Sequence, residues 1–350
     1  MLKETILVTG ATGHIGNVLV RKLVAMGAQV RALILPGEDT HALQGLPIEQ
    51  TSGDVLNMDS LWESFRGVRG VFHLAGLISI LPGENKLVRR VNVQGTLNVL
   101  QAAMQSGVER LVYTSSIHAL ARIPHGTTVD EHVPYDADNP YGAYDQSKAQ
   151  ATLEVQKAAR AGLNAVIACP TGVIGPYDFR SSLMGDVIRS AALRRLTPYV
   201  DGAYDFVDVR DVADGLIAAS EKGRSGSSYI LSGQRSSVRY LLETVHEITG
   251  KGFLRFKVPL PLAEFAARFT PWYYGISHSS PRFTPYSLEV LQSNSFISHQ
   301  KASEELGYQP RPLYESIRDA IQWFFEHKQT HCDLPGKSSR DYLTKTEGKK

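Results

Sequence analysis

The sequence predicts an α/β protein, a doubly wound parallel sheet with a smaller C-terminal lobe, and three observations support that reading. From residue 5 to 170, short runs rich in Val, Ile and Leu alternate with stretches of helical periodicity, the order that builds a parallel sheet with helices on both faces. Three glycines cluster where the first apolar run becomes the first helical stretch. After Pro170 the alternation stops, and Pro-rich and aromatic-rich segments replace it.

In chain order, "TILVTG" (5–10), "QVRALIL" (29–35), "GVFHLAG" (70–76), "RLVYTSS" (110–116) and "NAVIACP" (164–170) read as buried strands. Between them, "GNVLVRKLVAMG" (16–27), "LWESFRG" (61–67), "RRVNVQGTLNVLQAAMQSG" (89–107) and "YDQSKAQATLEVQKAARAG" (144–162) read as helices. Beyond Pro170 only short runs such as "YDFVDV" and "SSYILSG" interrupt segments like "KVPLPLAEFAARFTPWYYG" (257–275). The aromatics of that last segment lack a basic amphipathic face, so a packed lid or core is expected there rather than a membrane-surface element.

Composition narrows the function. At 350 residues and 43% hydrophobic the chain can bury a large core, and 37 Lys and Arg against 35 Asp and Glu leave no electrostatic footprint for nucleic acid. Cys169, in an apolar run, reads as a small buried hydrophobe; with Cys332 it forms no metal spacing and fits a reducing compartment. No run reaches the ~18 apolar residues of a membrane span. The strand pattern starts within about five residues of the N-terminus, leaving no room for a signal peptide. A cytoplasmic protein is expected.

Gly10, Gly13 and Gly16 stand at a strand-to-helix turn, where the helix offers unpaired N–H groups and a positive partial charge to a pyrophosphate. The spacing is G-x-x-G-x-x-G rather than the general dinucleotide fingerprint, but its context points to a nucleotide site. Thr12, inside the turn, would add a hydroxyl to the phosphate contacts or cap the helix. Residues 1–170 and 201–230 are therefore read as a dinucleotide-binding unit. Residues 171–200 and 231–330 are read as a substrate lobe over the carboxyl ends of the strands, where ligands bind in such sheets. Residues 331–350, polar and aperiodic, are read as a mobile tail.

A second constellation is "YTSS" with "YDQSK". Tyr144 and Lys148 lie four apart on one helical face, so the ammonium is expected to lower the phenol pKa from about 10 toward the working range. Ser116, at the end of the fourth strand, would hold a substrate carbonyl oxygen while Tyr144 exchanges the proton.

Together these residues resemble an extended short-chain dehydrogenase/reductase of the epimerase/dehydratase type with a Rossmann sheet. The resemblance runs to about residue 328 through "TGATGHIG", "GDVLN", "FHLAG", "VNVQGTLNVL", "YTSS", "YDQSK", "PTGVIGPYD", "FVDVRDVADG" and "SHQKASEELGYQPRPL". Within it the chain is most similar to the dihydroflavonol-reductase-like and 3β-hydroxysteroid-dehydrogenase-like branch. The resemblance implies that Gly10, Thr12, Gly13, Ile15 and Gly16 hold the cofactor phosphates and that Asp54 and Val55 flank the adenine. It also implies that Leu74, Ala75 and Gly76 line the cofactor's middle, that Asn92 supports the site, and that Pro170 and Thr171 border the nicotinamide. Lys148 would bind the nicotinamide ribose beside Tyr144. Helices holding Asn92 and Tyr144 pair across a two-fold axis in the family, which implies a homodimer.

The cofactor is NADP or NAD. By the family pattern a ribose-binding acid would fall at Ile34 and an arginine at Leu35, and neither is present. Without a carboxylate to repel a 2′-phosphate, and with Arg31 on the same strand, a modest preference for NADP is expected.

Three functions compete: a reductase or dehydrogenase for a small-molecule carbonyl or alcohol, a nucleotide-sugar epimerase or dehydratase, and a non-catalytic dinucleotide sensor, which would have no use for a tuned phenol. Gly172 stands where the nucleotide-sugar enzymes usually place an asparagine against the substrate diphosphate. The residues expected to border the pocket are apolar or aromatic: Ile78, Ile80, Val173, Phe179, Met184, Ile188, Tyr204 and Phe206. Arg180, Arg189, Arg194 or Arg195 facing the cleft would supply a compensating charge, and His118, two residues past Ser116, would lie within reach of the pocket. The reading is an NAD(P)-dependent enzyme reducing a neutral, largely apolar ketone or aldehyde, or oxidising the alcohol.

Overall fold

The computed structural model describes residues 4–80, 83–193, 196–250, 254–277 and 284–327. Arg194, Arg195, Cys332 and the whole of 331–350 lie outside these described residues.

The first half runs β1 (Thr5–Thr9), α1 (His14–Ala25), β2 (Gln29–Ile34), β3 (Glu49–Ser52), α2 (Met58–Ser64), β4 (Val68–His73), α3 (Lys86–Arg89), α4 (Gly95–Gln105), β5 (Arg110–Thr114), α5 (Ala143–Arg160) and β6 (Ala165–Pro170). The second half runs β7 (Gly172–Ile174), α6 (Leu183–Leu193), β8 (Leu196–Tyr199), β9 (Ala203–Asp208), α7 (Val209–Lys222), β10 (Ser228–Leu231), β11 (Gln234–Ser237) and α8 (Val238–Thr249). It ends with β12 (Leu254–Lys257), α9 (Leu260–Ser277), α10 (Pro285–Gln292), α11 (Gln300–Leu306) and α12 (Leu313–Glu326).

Seven strands form one parallel sheet in the order β10-β6-β5-β4-β1-β2-β3. Successive side chains on a strand point to opposite faces, and here both faces are apolar. Ile6 and Val8 join one core while Leu7 joins the other; Val112 divides from Leu111 and Tyr113 in the same way. Both faces are therefore covered, and the order in which strands are added reverses between β1 and β4, the crevice where such sheets bind ligands.

The periodicity reading places the central strands well and the boundaries less well. The expected helix over 61–67 begins at Met58 because the Asn57 side chain accepts from the Asp59 and Ser60 amides and starts it a turn earlier. The expected helix over 89–107 divides at a π-helical stretch, Arg90–Gln94, where the Thr96 hydroxyl donates to the Asn92 carbonyl at 2.6 Å. Strand β3, "EQTS", is a polar edge strand, so hydrophobic patterning did not mark it.

β7, β9 and β11 form a separate three-stranded sheet, packed on a third core that includes Ile174, Ile188, Phe206, Leu241 and Ile317. β9, assigned from sequence to the dinucleotide-binding unit, thus pairs with the smaller sheet, while β10 closes the edge of the larger one beside β6. Among the described residues no helix is long and apolar enough to cross a membrane.

Candidate active site

The glycine turn owes its shape to close backbone approach. Gly10 has φ +67, and a Cβ there would sit 2.7 Å from the Ala75 amide nitrogen. A Cβ on Gly16 would lie within 2.9 Å of the Ala11 Cα, so only glycine lets α1 pack on the turn. Gly13 is the N-cap of α1 and has no side chain to cap it. The first amides of α1 are thus open to a phosphate, with no Cβ in the way, and the turn fits a dinucleotide's pyrophosphate. Ile15 packs behind it on the core.

Thr12 does not cap α1, whose N-cap is Gly13. Its hydroxyl donates to Glu38 Oε1 at 2.8 Å and accepts from Arg180 at 2.7 Å, and Arg180 pairs with the same carboxylate at 2.5 Å. The Leu35 amide donates to Glu38 Oε2 at 3.2 Å. A carboxylate therefore does reach the glycine turn, from a residue that the spacing rule passed over. Arg31 is committed elsewhere, to Glu49 and to the carbonyls of Ser64 and Arg66.

A buried polar ladder joins the turn to the site's centre. The Leu74 and Ala75 amides donate to Thr9 Oγ1, so the Thr9 proton goes to His73 Nδ1 at 2.7 Å. His73 Nε2–H then donates to Thr96 at 3.0 Å, and Thr96 donates to the Asn92 carbonyl. Burial, then the Lys148 charge, holds His73 down to about 3, so it stays neutral. Asn92 accepts from the Leu77 amide at 2.8 Å and donates to the Leu77 carbonyl at 3.0 Å and to Ser147 Oγ at 2.9 Å. It thereby ties the Leu74–Ala75–Gly76 segment to α5. Asp54 accepts from the Leu56 amide in a turn, and Val55 packs where a Cβ on Gly95 would fall.

Ser116, Tyr144 and Lys148 come together at the carboxyl end of β5. Tyr144 and Lys148 are both buried on α5, Ser116 is buried just past β5, and the Ser116 hydroxyl pulls the Tyr144 phenol pKa down. The Lys148 ammonium donates to the Thr114 carbonyl at 2.8 Å, which fixes its stem and leaves further N–H groups for a ribose. One expectation is reversed: burial pushes the Tyr144 phenol up to about 12, opposed by the Ser116 bond and reinforced by Asp145. Lys148 does not bring it down, and burial lowers Lys148 itself to about 8. The phenol is therefore a protonated donor at neutral pH.

Across the cleft, Thr171 donates to the buried Asp205 carboxylate at 2.6 Å, and Pro170 ends β6. A Cβ on Gly172 would lie 2.6 Å from the Tyr204 ring, so the tyrosine occupies the space an asparagine side chain would need. His118, whose sequence context offered no partner, has several: Tyr204 OH at 2.7 Å from Nε2 and Tyr286 OH at 3.3 Å from Nδ1. Its ring lies 6.2 Å from that of Tyr144.

The expected apolar lining is mostly core. Ile188 and Phe206 are buried in the third cluster with Met184 against it, Val173 packs on the main core, and Phe179 packs on Trp323. Ile78, Ile80 and Tyr204 remain as lining candidates. Arg180 pairs with Glu38, and Arg189 pairs with Asp186 on its own helix. The described part of the aromatic segment 257–275 is a helix with Leu262, Phe265 and Phe269 exposed rather than packed.

Comparison with known proteins matches residues 6–232 to the NAD dependent epimerase/dehydratase family. A sterol demethylase protein B of Methylococcus capsulatus is 36% identical over 92% of this chain and 98% of its own. A putative dihydroflavonol 4-reductase of Synechocystis is 33% identical over 93% of this chain and 96% of its own. The crystal structure of gox2253 superposes with a TM-score of 0.81 at 33% identity, covering 93% of this chain and 99% of that one.

Proposed function

The chain belongs to the NAD dependent epimerase/dehydratase family of extended short-chain dehydrogenases/reductases, and on that premise we propose that it reduces a neutral, largely apolar ketone with a nicotinamide dinucleotide. The observation that carries the substrate class is the Tyr204 ring packed against Gly172. Where a diphosphate would need a polar side chain there is an aromatic face, and the nearby Arg180 and Arg189 are spent on carboxylates. Two phosphate charges buried without paired cations would be strongly unfavourable. The names of the two relatives, a sterol demethylase protein and a dihydroflavonol reductase, agree with this class.

The pyrophosphate would rest on Gly10–Gly16, the adenine beside Asp54 and Val55, the middle along Leu74–Gly76, and the nicotinamide and its ribose between Lys148, Pro170 and Thr171. When bound, the reduced nicotinamide supplies the hydride. Ser116 and Tyr144 hydroxyls converge on one point and together hold the carbonyl oxygen. Tyr144 gives that oxygen its proton, and the Lys148 ammonium, lowered by burial to about 8 and anchored on the Thr114 carbonyl, would hold the nicotinamide ribose beside it. Glu38, fixed by Thr12 and the Leu35 amide, supports NAD over NADP because it would accept from a ribose 2′-OH and repel a 2′-phosphate.

The helices α4 and α5 expose Met104 and Leu153, in keeping with a homodimer through these helices; a monomeric mass by light scattering at micromolar concentration would refute it. The reductase reading is tested by NADH oxidation over a panel of aryl and alicyclic ketones. Tyr144→Phe should cut turnover about 10²–10⁴-fold while sparing NADH binding. Micromolar binding of a UDP-sugar to the cofactor-loaded protein, with epimerised product, would sink this reading in favour of the family's epimerase chemistry.

A further inference from the structure

Beside Ser116 and Tyr144 runs a chain of polar side chains drawn from both lobes. It begins at Asp145, next in sequence to Tyr144 and only 1% exposed. Arg122 lies 3.6 Å from the Asp145 carboxylate, is bonded to Glu289 at 2.8 Å, and stacks 3.4 Å above the Tyr141 ring. Tyr286 of α10 sits 2.6 Å from Asp145 Oδ1; His118 follows at 3.3 Å, and Tyr204 of β9 closes the chain at 2.7 Å.

With His118 neutral, these distances fix the direction of every proton. A carboxylate paired with an arginine can only accept, so Tyr286 must donate to Asp145. The Tyr286 oxygen is then an acceptor, and the Nδ1 of His118 must carry the proton that it receives. In a neutral imidazole the other nitrogen is bare, so Nε2 accepts from Tyr204. Tyr204 has thereby committed its one proton to His118, and what its oxygen has left is lone pairs. The ring lies nearly parallel to that of His118, with centroids 5.9 Å apart and 16° between the planes, and touches Gly172. It stands between the end of the Ser116 segment and the segment after Pro170, against the reacting centre.

We propose that Tyr204 is the specificity-determining hydrogen-bond acceptor of the substrate lobe, so that the substrate carries a hydroxyl or N–H donor set apart from the carbonyl that is reduced. This rests on the reductase reading and deepens it to a class, hydroxylated neutral ketones. A phosphate oxygen or second carbonyl, being an acceptor, would meet another acceptor here, and a buried mismatch of that kind is costly. The surroundings keep the chain neutral. Burial pushes the Tyr204 and Tyr286 phenols well up, with Asp145 adding to both. Burial lowers His118; Asp145 opposes that shift and Arg122 adds to it, and Tyr144, Tyr204 and Tyr286 are the other titratable groups around the ring.

Two measurements test this. In protein labelled with ¹⁵N-histidine, long-range ¹H–¹⁵N correlation reads the tautomer of His118, assigned by its loss in His118→Gln. The expected result at pH 7 is a neutral ring protonated on Nδ1, with Tyr286→Phe shifting it toward the other tautomer. A ring protonated on Nε2, or a charged ring, overturns the chain. The second measurement compares kcat/KM with NADH for 1-tetralone and for its 5-, 6- and 7-hydroxy derivatives. The wild type should prefer at least one hydroxy derivative over 1-tetralone, and Tyr204→Phe should collapse that ratio about tenfold, NADH binding serving as the check on folding. A ratio that Tyr204→Phe leaves unchanged, or no preference in the wild type, overturns the assignment of Tyr204. Failure of the wild type to reduce any tetralone would instead fail the reductase reading and the substrate class with it, while the tautomer still decides the chain.

Discussion

Replacing Asp205 by Asn should make the protein more stable at alkaline pH and hardly change it at acidic pH. Asp205 is 2% exposed and accepts from Thr171 Oγ1 at 2.6 Å and from the Gly233 amide at 2.8 Å. Burial nevertheless pushes its carboxyl up to about 6, against the pull of those two donors. The folded state thus holds the proton more tightly than the unfolded chain, whose aspartate titrates near ~3.9. The sign follows: stability is greatest below the unfolded pKa, falls as pH rises from about 4 to about 6, and is flat above. A shift of roughly 2 units at 1.36 kcal/mol each makes the penalty about 3 kcal/mol. Asparagine keeps an acceptor oxygen for both donors and never ionises, though its amide hydrogens need partners, which offsets about 1 kcal/mol. For a chain of this length 1 kcal/mol is about 1.5 °C, so Asp205→Asn should melt about 3 °C higher than wild type at pH 8. Scanning fluorimetry from pH 4.5 to 8.5 is the assay, and the gap should close toward pH 4.5. A gap of constant size across that range, or a variant less stable at pH 8, would show that Asp205 carries no burial penalty and refute the reasoning. Because Asp205 holds Thr171, Asp205→Ala should also weaken NADH binding, which Asp205→Asn should not.

Glu38→Ser should raise affinity for NADPH relative to NADH by at least about tenfold, since removing the carboxylate frees Arg180 for a 2′-phosphate; fluorescence titration of both cofactors reads it, and an unchanged ratio would show that Glu38 does not set the cofactor choice. Asn92→Ala removes two hydrogen bonds to Leu77 and one to Ser147 of α5 at about 1 kcal/mol each. It should lower the melting point by about 3–5 °C and weaken NADH binding with it; full cofactor affinity in that variant would remove Asn92 from the site.

What the sequence makes legible is what is local. Val, Ile and Leu runs mark β1, β2, β4, β5 and β6 because a parallel strand covered on both faces must be apolar at every position, and the three glycines mark the turn because nothing larger fits between Gly10 and Ala75. The Ser116, Tyr144 and Lys148 positions follow from one helical spacing and one strand end. β3 was invisible because an exposed edge needs no apolar residue. The pocket lining was overestimated because apolar composition does not distinguish a cleft wall from a third core, and Ile188 and Phe206 satisfy the second. Likewise, helical spacing put Lys148 beside Tyr144 but said nothing of the desolvation that raises the phenol.

Residues whose role depends on distant partners were the ones the sequence explains least, and the two histidines show why. His73 and His118 both lie near strand ends, and neither has a neighbour in sequence that explains it. One is bonded 64 residues back to Thr9 and 23 forward to Thr96; the other is bonded 86 and 168 residues forward to Tyr204 and Tyr286. Glu38 fails the spacing rule for a related reason. The rule counts residues to the end of the second strand, at Ile34, but the chain then turns, the Glu38 amide bonding back to the Leu35 carbonyl at 2.9 Å. The turn brings a carboxylate four positions late to the Thr12 hydroxyl. A ribose-binding acid is defined by where its oxygens lie relative to the glycine turn, and a tight turn makes several sequence positions equivalent in that respect. A fixed-offset motif therefore detects the acid when the strand delivers it and overlooks it when the following turn does.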